Sequence, residues 1–465
     1  MQHIFREYDI RGVFGEDLTE STVKRIGYFL GRKIKEKGDY AVVTYDARSH
    51  SPQLSDWLVS GLNAAEVVVL HGGMVPTPVN YFCNFNPFTV GGKEVVPAGG
   101  IQITGSHNPP EYNGFKITIA QAPFYGEDIY ALGKEVEANR DMAIPDQPDA
   151  IAIPALDKYV AYLAKAFAHL EGFDPKMAID CGNGAAGVAI EPLLEKLKIP
   201  AKKLYFEPDG TFPNHHPDPS EEANLEDLKK VLRKEADYGF AFDGDGDRIA
   251  FLSRRHNFKG DILALFFARE MAKEGKKPVV IGEVKCSQVM YDGINELGRA
   301  IMFKTGHSNL KVKLKETGAD LAAEVSGHIF FNDRYFGYDD AIYAMMRILE
   351  MLREGFDFDA EFEKLPRLYS TDEIKVPTTD ARKFAIIDAL KKILDAKKEE
   401  LGIRDIVAID GVRVIFDDGW GLVRASNTTP ILVTRFEARS PESLERIREL
   451  MNGLIGEAKK AVEAL

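Results

Sequence analysis

Three segments of the chain repeat one order of apolar and polar positions. Each has a short apolar run, a turn rich in glycine or polar residues, an amphipathic stretch with helical spacing, and a second apolar run. In chain order these parts are residues 41–44, 54–64 and 67–70, then 177–180, 188–197 and 203–206, then 278–281, 288–297 and 300–303. This order is typical of a strand–helix–strand unit in a largely parallel sheet. It recurs about every 100–140 residues, so it predicts three similar α/β domains rather than one wide sheet.

The pattern changes near the C-terminus and predicts a smaller α+β domain there. A long amphipathic helix over 381–401 is followed by paired strands near 411–416 and 431–438 and by a last helix from Pro441. Stretches that are rich in proline or polar residues predict domain boundaries at 143–154, 253–260 and 365–379. The predicted fold is α/β, with three mixed or parallel α/β domains and one smaller C-terminal α+β domain. The four predicted domains are residues 1–150, 151–254, 255–366 and 367–465.

The composition is typical of a soluble globular protein. The 465 residues are 45% hydrophobic and 28% charged, and no run approaches the roughly 18 apolar residues of a membrane span. The N-terminus has no apolar signal region, and Cys83, Cys181 and Cys286 show no metal-site or disulfide spacing, so we expect a cytoplasmic protein. The net charge of −13 argues against nucleic acid as the main partner. It also means that an anionic substrate needs a local cluster of basic groups.

Residues 104–110, Thr-Gly-Ser-His-Asn-Pro-Pro, present a serine on a loop. Two prolines directly behind Ser106 exclude a helix, and the alternating runs at 101–103 and 115–119 predict a strand on each side. A substrate can therefore reach the Ser106 hydroxyl. The polar residues that fall near this hydroxyl are His107, Asn108 and Lys116. An ordinary polar turn explains the loop equally well, so the residues alone leave both interpretations open.

Asp243, Asp245 and Asp247 alternate with glycine directly after an apolar strand predicted at 238–242. Glycine lets a tight loop turn several carboxylate oxygens onto one hard cation. Three carboxylates do not fill an octahedral site, so such a metal keeps positions for a phosphate oxygen and water, which suits Mg²⁺. An EF-hand does not fit, because its loop needs a glutamate as twelfth ligand and a helix on each side. An acidic surface turn is the other alternative.

Residues 182–187 form a Gly-x-Gly-x-x-Gly motif between a predicted strand and a predicted helix. Glu207 follows about twenty residues later, where a ribose-binding acid is expected in a dinucleotide site. Nicotinamide binding therefore competes with a structural role, in which the glycines only allow a tight turn. The unit runs straight into the aspartate loop rather than into further Rossmann strands, which argues against the cofactor.

Two further loops carry groups that suit a sugar phosphate. Glu324, Ser326 and His328 form Glu-x-Ser-Gly-His, whose carboxylate, hydroxyl and imidazole can bind vicinal sugar hydroxyls or simply close a turn. Residues 424–430, Arg-Ala-Ser-Asn-Thr-Thr-Pro, can form a phosphate cradle or an exposed β-turn. No Gly-x-x-x-x-Gly-Lys-Ser/Thr loop occurs in the sequence, which excludes a P-loop nucleotide site.

In their order and spacing, the four loops resemble those of the α-D-phosphohexomutases, in particular the bacterial and archaeal phosphomannomutase/phosphoglucomutase branch. The resemblance spans essentially the whole chain and includes its start, Tyr8-Asp-Ile-Arg-Gly. It implies a heart-shaped protein of four domains, each of which gives one loop to a central cleft. Ala323 departs from the family, which usually has glycine before the glutamate.

The resemblance also implies roles for individual residues. Ser106 carries the transferable phosphoryl group, and Lys116 and His328 are the candidates for proton transfer. The implied catalytic residues are Ser106, Lys116, Arg248 and His328. The implied ligands of Mg²⁺ are Asp243, Asp245, Asp247 and phosphorylated Ser106. The implied substrate-binding residues are Tyr8, Arg11, Asn108, Lys285, His307, Glu324, Ser326, Arg424, Ser426, Asn427 and Thr428.

The activity that the resemblance implies is interconversion of hexose 1-phosphate and hexose 6-phosphate, with mannose, glucose or both as the sugar. A hexose 1,6-bisphosphate is the implied intermediate and the primer of the phosphoserine. We expect small sugar phosphates as partners, without nucleic acid or membrane, and a monomer or small homo-oligomer. The alternatives are a phosphoglucosamine mutase of the same family, a Mg²⁺-dependent sugar phosphatase with an aspartate nucleophile, and a non-catalytic sugar-phosphate sensor.

Overall fold

The computed structural model describes residues 2–427 and 429–463. Its N-terminal part is built on a seven-stranded mixed sheet. The elements of this part are β1 (Ile10–Val13), α1 (Glu20–Lys35), β2 (Tyr40–Tyr45), α2 (Ser51–Ala64), β3 (Val68–Met74), α3 (Thr77–Cys83), β4 (Phe88–Val90), β5 (Lys93–Val95), β6 (Gly99–Ile103), β7 (Tyr112–Ile119), β8 (Ala122–Pro123), α4 (Glu127–Ala138) and β9 (Ile151–Ala152). The strand order is β1-β7-β6-β2-β3-β9, with β8 paired to β7 and with β4 and β5 forming a separate hairpin.

Two smaller mixed sheets follow, each with its own helices. The elements of the second part are α5 (Ala155–Ala166), β10 (Met177–Asp180), α6 (Ala186–Leu197), β11 (Ala201–Leu204), α7 (Glu226–Leu232), β12 (Tyr238–Phe242), β13 (Ile249–Ser253) and β14 (Asn257–Phe258). Those of the third part are α8 (Gly260–Lys273), β15 (Val279–Glu283), α9 (Gln288–Leu297), β16 (Arg299–Phe303), α10 (His307–Thr317), β17 (Leu321–Ala323), β18 (Ile329–Phe331), α11 (Ala341–Arg353) and α12 (Phe358–Glu363). The strand orders are β11-β10-β12-β13-β14 and β16-β15-β17-β18.

The three α/β sheets share one topology. In each sheet, a first strand (β2, β10 or β15) has a parallel strand on each side. A helix connects the first strand to one of these neighbours (β3, β11 or β16). The neighbour on the other side (β6, β12 or β17) then turns back into an antiparallel strand (β7, β13 or β18). These three turns lie at the carboxyl ends of the parallel strands, the edge at which ligands bind in open α/β sheets. They contain Ser106, the aspartate loop and the Glu324 loop.

The C-terminal part is a six-stranded antiparallel sheet packed against two helices. Its elements are β19 (Tyr369–Ser370), β20 (Ile374–Pro377), α13 (Lys383–Ala396), β21 (Asp405–Val407), β22 (Val412–Ile415), β23 (Gly419–Ala425), β24 (Ile431–Ala438) and α14 (Pro441–Glu463). Leu390, Phe436 and Met451 are fully buried between the helices and the sheet. Of the loop predicted at 424–430, Arg424 and Ala425 belong to the end of β23.

One apolar core runs through the first three parts, the first part has a second core of its own, and the last part has a separate core. The shared core extends from Phe82 in α3 through Phe240 in β12 to Phe331 in β18. The last part contacts the third part through Arg413 on β22 and Trp420 on β23. Both side chains are buried, and Arg413 stacks on Trp420 with its Cζ 3.8 Å from the ring centroid. The Arg413 guanidinium also donates to two carbonyl oxygens of the third part over 2.7–2.8 Å. Within the described residues, no helix has the length and apolar character to cross a membrane.

The hydrophobic pattern located most of these elements. The runs at 177–180, 288–297 and 431–438 coincide with β10, α9 and β24. The strand predicted at 203–206 is wrong by two residues, because Tyr205 has a positive φ of 53° and ends β11 at Leu204. The helix predicted over 381–401 is shorter and ends at Ala396.

Candidate active site

The serine loop lies directly against the aspartate loop. Ser106 Oγ donates a hydrogen bond to Asp243 Oδ2 over 3.0 Å, and Ser106 has a left-handed φ of 49°. Such strain in a residue other than glycine concentrates at functional sites. The serine is more enclosed than its loop position suggests, with only 2% of the residue exposed, because the aspartate loop covers it. The loops touch at Gly244, where a Cβ would lie 2.4 Å from the Ser106 carbonyl oxygen.

Asp46 and Arg48, at the carboxyl end of β2, hold the serine loop in this conformation. Asp46 accepts a hydrogen bond from Thr104 Oγ1 over 2.8 Å and pairs with Arg48. The buried Arg48 guanidinium donates over 2.6–3.0 Å to the carbonyl oxygens of Ser106, Asn108, Pro109 and Tyr112. Sequence analysis missed both residues. The available signal was an Asp-x-Arg directly after a predicted parallel strand, at the edge where functional loops collect.

The three aspartates share one buried space, in which one carboxylate oxygen of each lies within 4.8 Å of the others. Burial, together with the charges of Asp245 and Asp247, raises the pKa of Asp243 well above its usual range. Asp245 Oδ1 is buried and has no hydrogen-bond partner in the described part of the chain. Crowded carboxylates with one unpartnered oxygen are the donor set that a hard divalent cation prefers. The geometry therefore fits a metal site.

Lys116, on β7, places a positive charge among these aspartates. Its ammonium group donates to Asp245 over 2.6 Å and also contacts Asp247. Burial disfavours a charged lysine, but the two carboxylates raise the pKa of Lys116 above its ordinary value. Burial likewise opposes ionisation of Asp245 and Asp247, but Lys116 lowers the pKa of both. The cluster thus holds two ionised aspartates and one, Asp243, whose charge is disfavoured.

The third loop forms a charged network on the other side of Asp247. His328 lies with Nε2 3.1 Å from Asp247 Oδ1 and with Nδ1 2.6 Å from Glu324 Oε2. Burial disfavours the charged imidazole, but Asp247 outweighs it and raises the pKa of His328 to about 9. Against the effect of burial, hydrogen bonding to His328 lowers the pKa of Glu324 to about 2. Arg248 Nε lies 3.3 Å from His328 Nε2. These contacts fix the imidazole between two carboxylates beside the aspartate loop.

Tyr8 joins the N-terminal segment to the third and last parts of the molecule. The Tyr8 hydroxyl donates to the Thr305 carbonyl over 2.9 Å, and Asn427 Nδ2 donates to the Tyr8 hydroxyl over 2.7 Å. The ring of His307 lies 6.0 Å from that of Tyr8 and 5.8 Å from that of His328, between centroids. Through Tyr8 and His307, the loop that contains Asn427 is therefore connected to the Glu324 loop, which contacts the aspartate loop and, through it, the serine loop.

Further basic side chains lie beside these loops. Arg11, Lys285 and Arg424 are at least nine-tenths buried, and each pairs with a carboxylate. The pairs are Arg11 with Asp9, Lys285 with Glu373 at 2.6 Å, and Arg424 with Asp410 at 3.0 Å. Arg11 also donates to the side chain of Asn108. In a chain with a net charge of −13, these are basic groups beside the predicted loops of the kind that an anionic substrate needs.

Two further predicted residues, Ser326 and Ser426, lie on the loops themselves. Ser326 is partly exposed on the turn between β17 and β18. Ser426 Oγ lies 2.7 Å from Thr429 Oγ1, and Thr428 is outside the described residues. Ala323 pairs with Ile329 in the regular hairpin before the Glu324 loop, so its methyl group is accommodated without distortion.

The Gly-x-Gly-x-x-Gly motif packs against the aspartate loop. Ala185 N donates to the Gly244 carbonyl over 3.0 Å, and a Cβ on Gly184 would lie 2.7 Å from the same oxygen. A dinucleotide site needs the turn open to a pyrophosphate. Here the aspartate loop fills that space, so the nicotinamide interpretation is wrong and the motif serves close packing.

Four family models match successive parts of the chain. They describe the α/β/α domains I, II and III and the C-terminal domain of phosphoglucomutase/phosphomannomutase, at residues 2–141, 157–256, 259–369 and 373–453. The matches follow one another in the order of the four sheets and leave only short connecting segments.

Similar proteins cover the chain almost completely. A Pseudomonas aeruginosa protein named phosphomannomutase/phosphoglucomutase is 42% identical over 99% of this chain and 96% of its own. A Neisseria meningitidis protein named phosphoglucomutase is 39% identical over 97% of this chain and 96% of its own. A solved phosphoglucomutase/phosphomannomutase family structure from Burkholderia thailandensis matches with a TM-score of 0.90 and 38% identity over 99% of this chain and 98% of its own. The chain belongs to the phosphoglucomutase/phosphomannomutase family of mutase enzymes.

Proposed function

We propose that the protein interconverts hexose 1-phosphate and hexose 6-phosphate, with mannose, glucose or both as the sugar. Phosphorylated Ser106 donates its phosphoryl group to the free hydroxyl of a hexose monophosphate. The resulting hexose 1,6-bisphosphate then returns its other phosphoryl group to Ser106. The observation that carries the proposal is the strained, enclosed Ser106, whose hydroxyl is held 3.0 Å from Asp243. Phosphoryl transfer depends on such alignment and on charge neutralisation more than on covalent assistance.

Asp243, Asp245, Asp247 and phosphorylated Ser106 are the residues that would hold Mg²⁺. When bound, the ion neutralises charge at the transferring phosphoryl group. Lys116 supplies a second positive charge, held against two of the same carboxylates. The same site takes up the phosphoryl group of hexose 1,6-bisphosphate when the enzyme is primed.

Attack by a sugar hydroxyl requires transfer of its proton, and Lys116 and His328 are the candidates. The pKa values of both are raised in the free protein, so each carries its own proton there and can accept one from the hydroxyl only after releasing it. Both are rigidly held, Lys116 by two aspartates and His328 between Glu324 and Asp247. A fixed position within hydrogen-bond reach of the hydroxyl is the first requirement for proton transfer. Arg248, beside His328, adds positive charge where the phosphoryl group passes.

Between its two transfers the bisphosphate turns end for end, so the site must grip either phosphate in the same way. Arg424, Ser426, Asn427 and Thr428 of the last domain are the residues that we assign to this phosphate grip, in which a guanidinium and hydroxyls bind phosphate oxygens. Glu324 and Ser326 bind the sugar 3- and 4-hydroxyls, which look alike from either direction. Mannose and glucose differ only at C2, so these contacts tolerate both sugars. Closure of the last domain excludes the water that would hydrolyse the phosphoserine.

A coupled assay tests the proposal. It follows glucose 1-phosphate to glucose 6-phosphate with Mg²⁺ and a trace of glucose 1,6-bisphosphate, beside mannose 1-phosphate. We expect turnover in the parent and its loss in Ser106→Ala or after addition of a metal chelator. Ser49→Ala, at an exposed serine of the same domain, is the control and should keep the parental turnover. Phosphate release that persists in Ser106→Ala would instead indicate a phosphatase, and binding without turnover a sensor. Turnover of glucosamine 1-phosphate alone would identify a phosphoglucosamine mutase.

A further inference from the structure

Asp339 is a buried carboxylate behind the cleft to which the mechanism above assigns no role. The residue is completely buried. Its Oδ1 lies 2.8 Å from Lys311 Nζ in an ion pair, and its Oδ2 lies 3.9 Å from His307 Nδ1 and 3.9 Å from His328 Nε2. Within the described residues, Oδ2 has no hydrogen-bond partner. A buried carboxylate oxygen without a donor is costly, so the two nearby imidazoles are the groups to consider as its partners.

Of the two imidazoles, His307 is the one without another partner. His328 already has Glu324 at 2.6 Å and Asp247 at 3.1 Å. The Nδ1 atom of His307 is buried and has no hydrogen-bond partner in the described part of the chain. Because 12% of the His307 side chain is still exposed, Nε2 is the ring nitrogen that a ligand can reach.

Lys311 pairs with Asp339 and holds its carboxylate in place. It lies one helical turn after His307 on α10, with Nζ 3.8 Å from the centroid of the Tyr81 ring. The aromatic face and the Asp339 carboxylate together stabilise the buried ammonium group. Lys311, Asp339 and His307 therefore form a chain in which each charged or polar group faces the next.

We propose that Asp339 is a positioning residue that accepts the Nδ1–H of His307 and thereby presents His307 Nε2 to the bound sugar phosphate. The partner of one imidazole nitrogen determines which nitrogen carries the proton and where the ring points. Asp339 already favours the proton on Nδ1 across 3.9 Å, and the contact shortens to a hydrogen bond when ligand engages Nε2, since such contacts are often long without ligand and tighten in the complex. The identity of the ligand rests on the proposed function, whereas the tautomer of His307 does not.

Nitrogen-15 NMR of the histidine-labelled protein tests the tautomer without any turnover. At pH 8 most histidines are neutral, and loss of one signal in His307→Gln assigns the ring. We expect the proton on Nδ1 in the parent and a change at this nitrogen in Asp339→Asn. A proton on Nε2 of the parent would overturn the proposal, and this result needs no variant of Asp339 that folds.

Steady-state kinetics test the functional consequence. We expect Asp339→Asn to raise KM for the hexose phosphate by about tenfold, with kcat within about twofold of the parent. It should add nothing further in a His307→Gln background, because both changes remove the same interaction. Asp340→Asn, at a buried carboxylate one residue along, is the matched control and should leave KM unchanged. A parental KM in Asp339→Asn, or full additivity with His307→Gln, would refute the role, even if the mutase activity itself is confirmed.

Discussion

At the scale of single residues, the loops of the candidate site are held in place by side chains from behind them. Arg48 is the clearest example, because its guanidinium ties four carbonyl oxygens of the serine loop and keeps Ser106 in its left-handed conformation. Ser106 and the three aspartates were predictable, since each lies in a short local motif. The contacts of Arg48 and Asp339 were not, because their partners come from distant segments that become neighbours only in the folded chain.

We expect Arg48→Lys to lower both stability and kcat. One ammonium group cannot serve four carbonyl oxygens, and each oxygen left buried without a donor costs about 1–3 kcal/mol. The free energy of unfolding in urea should fall by about 3 kcal/mol. In addition, kcat should fall by about tenfold or more as Ser106 loses its position.

Arg25→Lys is the matched control for this variant. Arg25 is buried in the same domain and donates to the Ser21 carbonyl over 2.9 Å, away from the cleft. It should lose stability but keep the parental kcat. If Arg48→Lys also kept the parental kcat, Arg48 would stabilise the fold without positioning the serine.

At the scale of elements, one type of strand-to-strand turn holds the predicted site residues in each of the three α/β domains. The turn from the outer parallel strand to its antiparallel partner holds Ser106, then the aspartates, then Glu324. The sequence pattern predicted the strands and helices of these units, because buried parallel strands and amphipathic helices have distinct periods. It could not show the strand order, which depends on pairing between segments far apart in the chain, such as β2 with β6.

Asp340 shows how one element responds to pH. It caps α11, accepts hydrogen bonds from the hydroxyls of Tyr159 and Tyr335, and burial raises its pKa from the ordinary 3.8 to about 6. The folded protein therefore holds a proton that the unfolded chain releases, and this contribution to stability is lost as pH rises from about 4 through 6.

We expect Asp340→Asn, which cannot ionise, to gain stability relative to the parent by about 3 kcal/mol between pH 4 and pH 7. Urea unfolding of both proteins across this range measures the difference. A difference that stayed constant with pH would show that Asp340 remains charged in the folded protein.

At the scale of the whole molecule, three domains form one body and the fourth is attached to it. The first three share an apolar core, while the last has its own core and a joint at Arg413. Its loop reaches back to the N-terminal segment through Asn427 and Tyr8. The sequence predicted the separate last domain from its change of pattern, but not this contact, which joins residues at opposite ends of the chain.

We expect Tyr8→Phe to raise KM for the hexose phosphate by about fivefold, with a smaller effect on kcat. The substitution removes hydrogen bonds to Thr305 and Asn427, worth about 1 kcal/mol net, that hold the loop of the last domain against the N-terminal segment and would favour the proposed closure. Tyr205→Phe, whose hydroxyl bonds Asp227 elsewhere on the second domain, is the control and should keep the parental KM. Equal KM values in Tyr8→Phe and the parent would argue against a role for this contact in closure.

The location of the transferable phosphoryl group tests the central claim most directly. The protein is incubated with glucose 1,6-bisphosphate and Mg²⁺ and examined by intact and peptide mass spectrometry. We predict the mass of one phosphoryl group on Ser106, which disappears when glucose 6-phosphate is added while glucose 1,6-bisphosphate forms in equal amount. Ser106→Ala should take up none. Uptake on another residue, such as an aspartate of the aspartate loop, or phosphorylated Ser106 that does not pass its group to the sugar, would contradict the account.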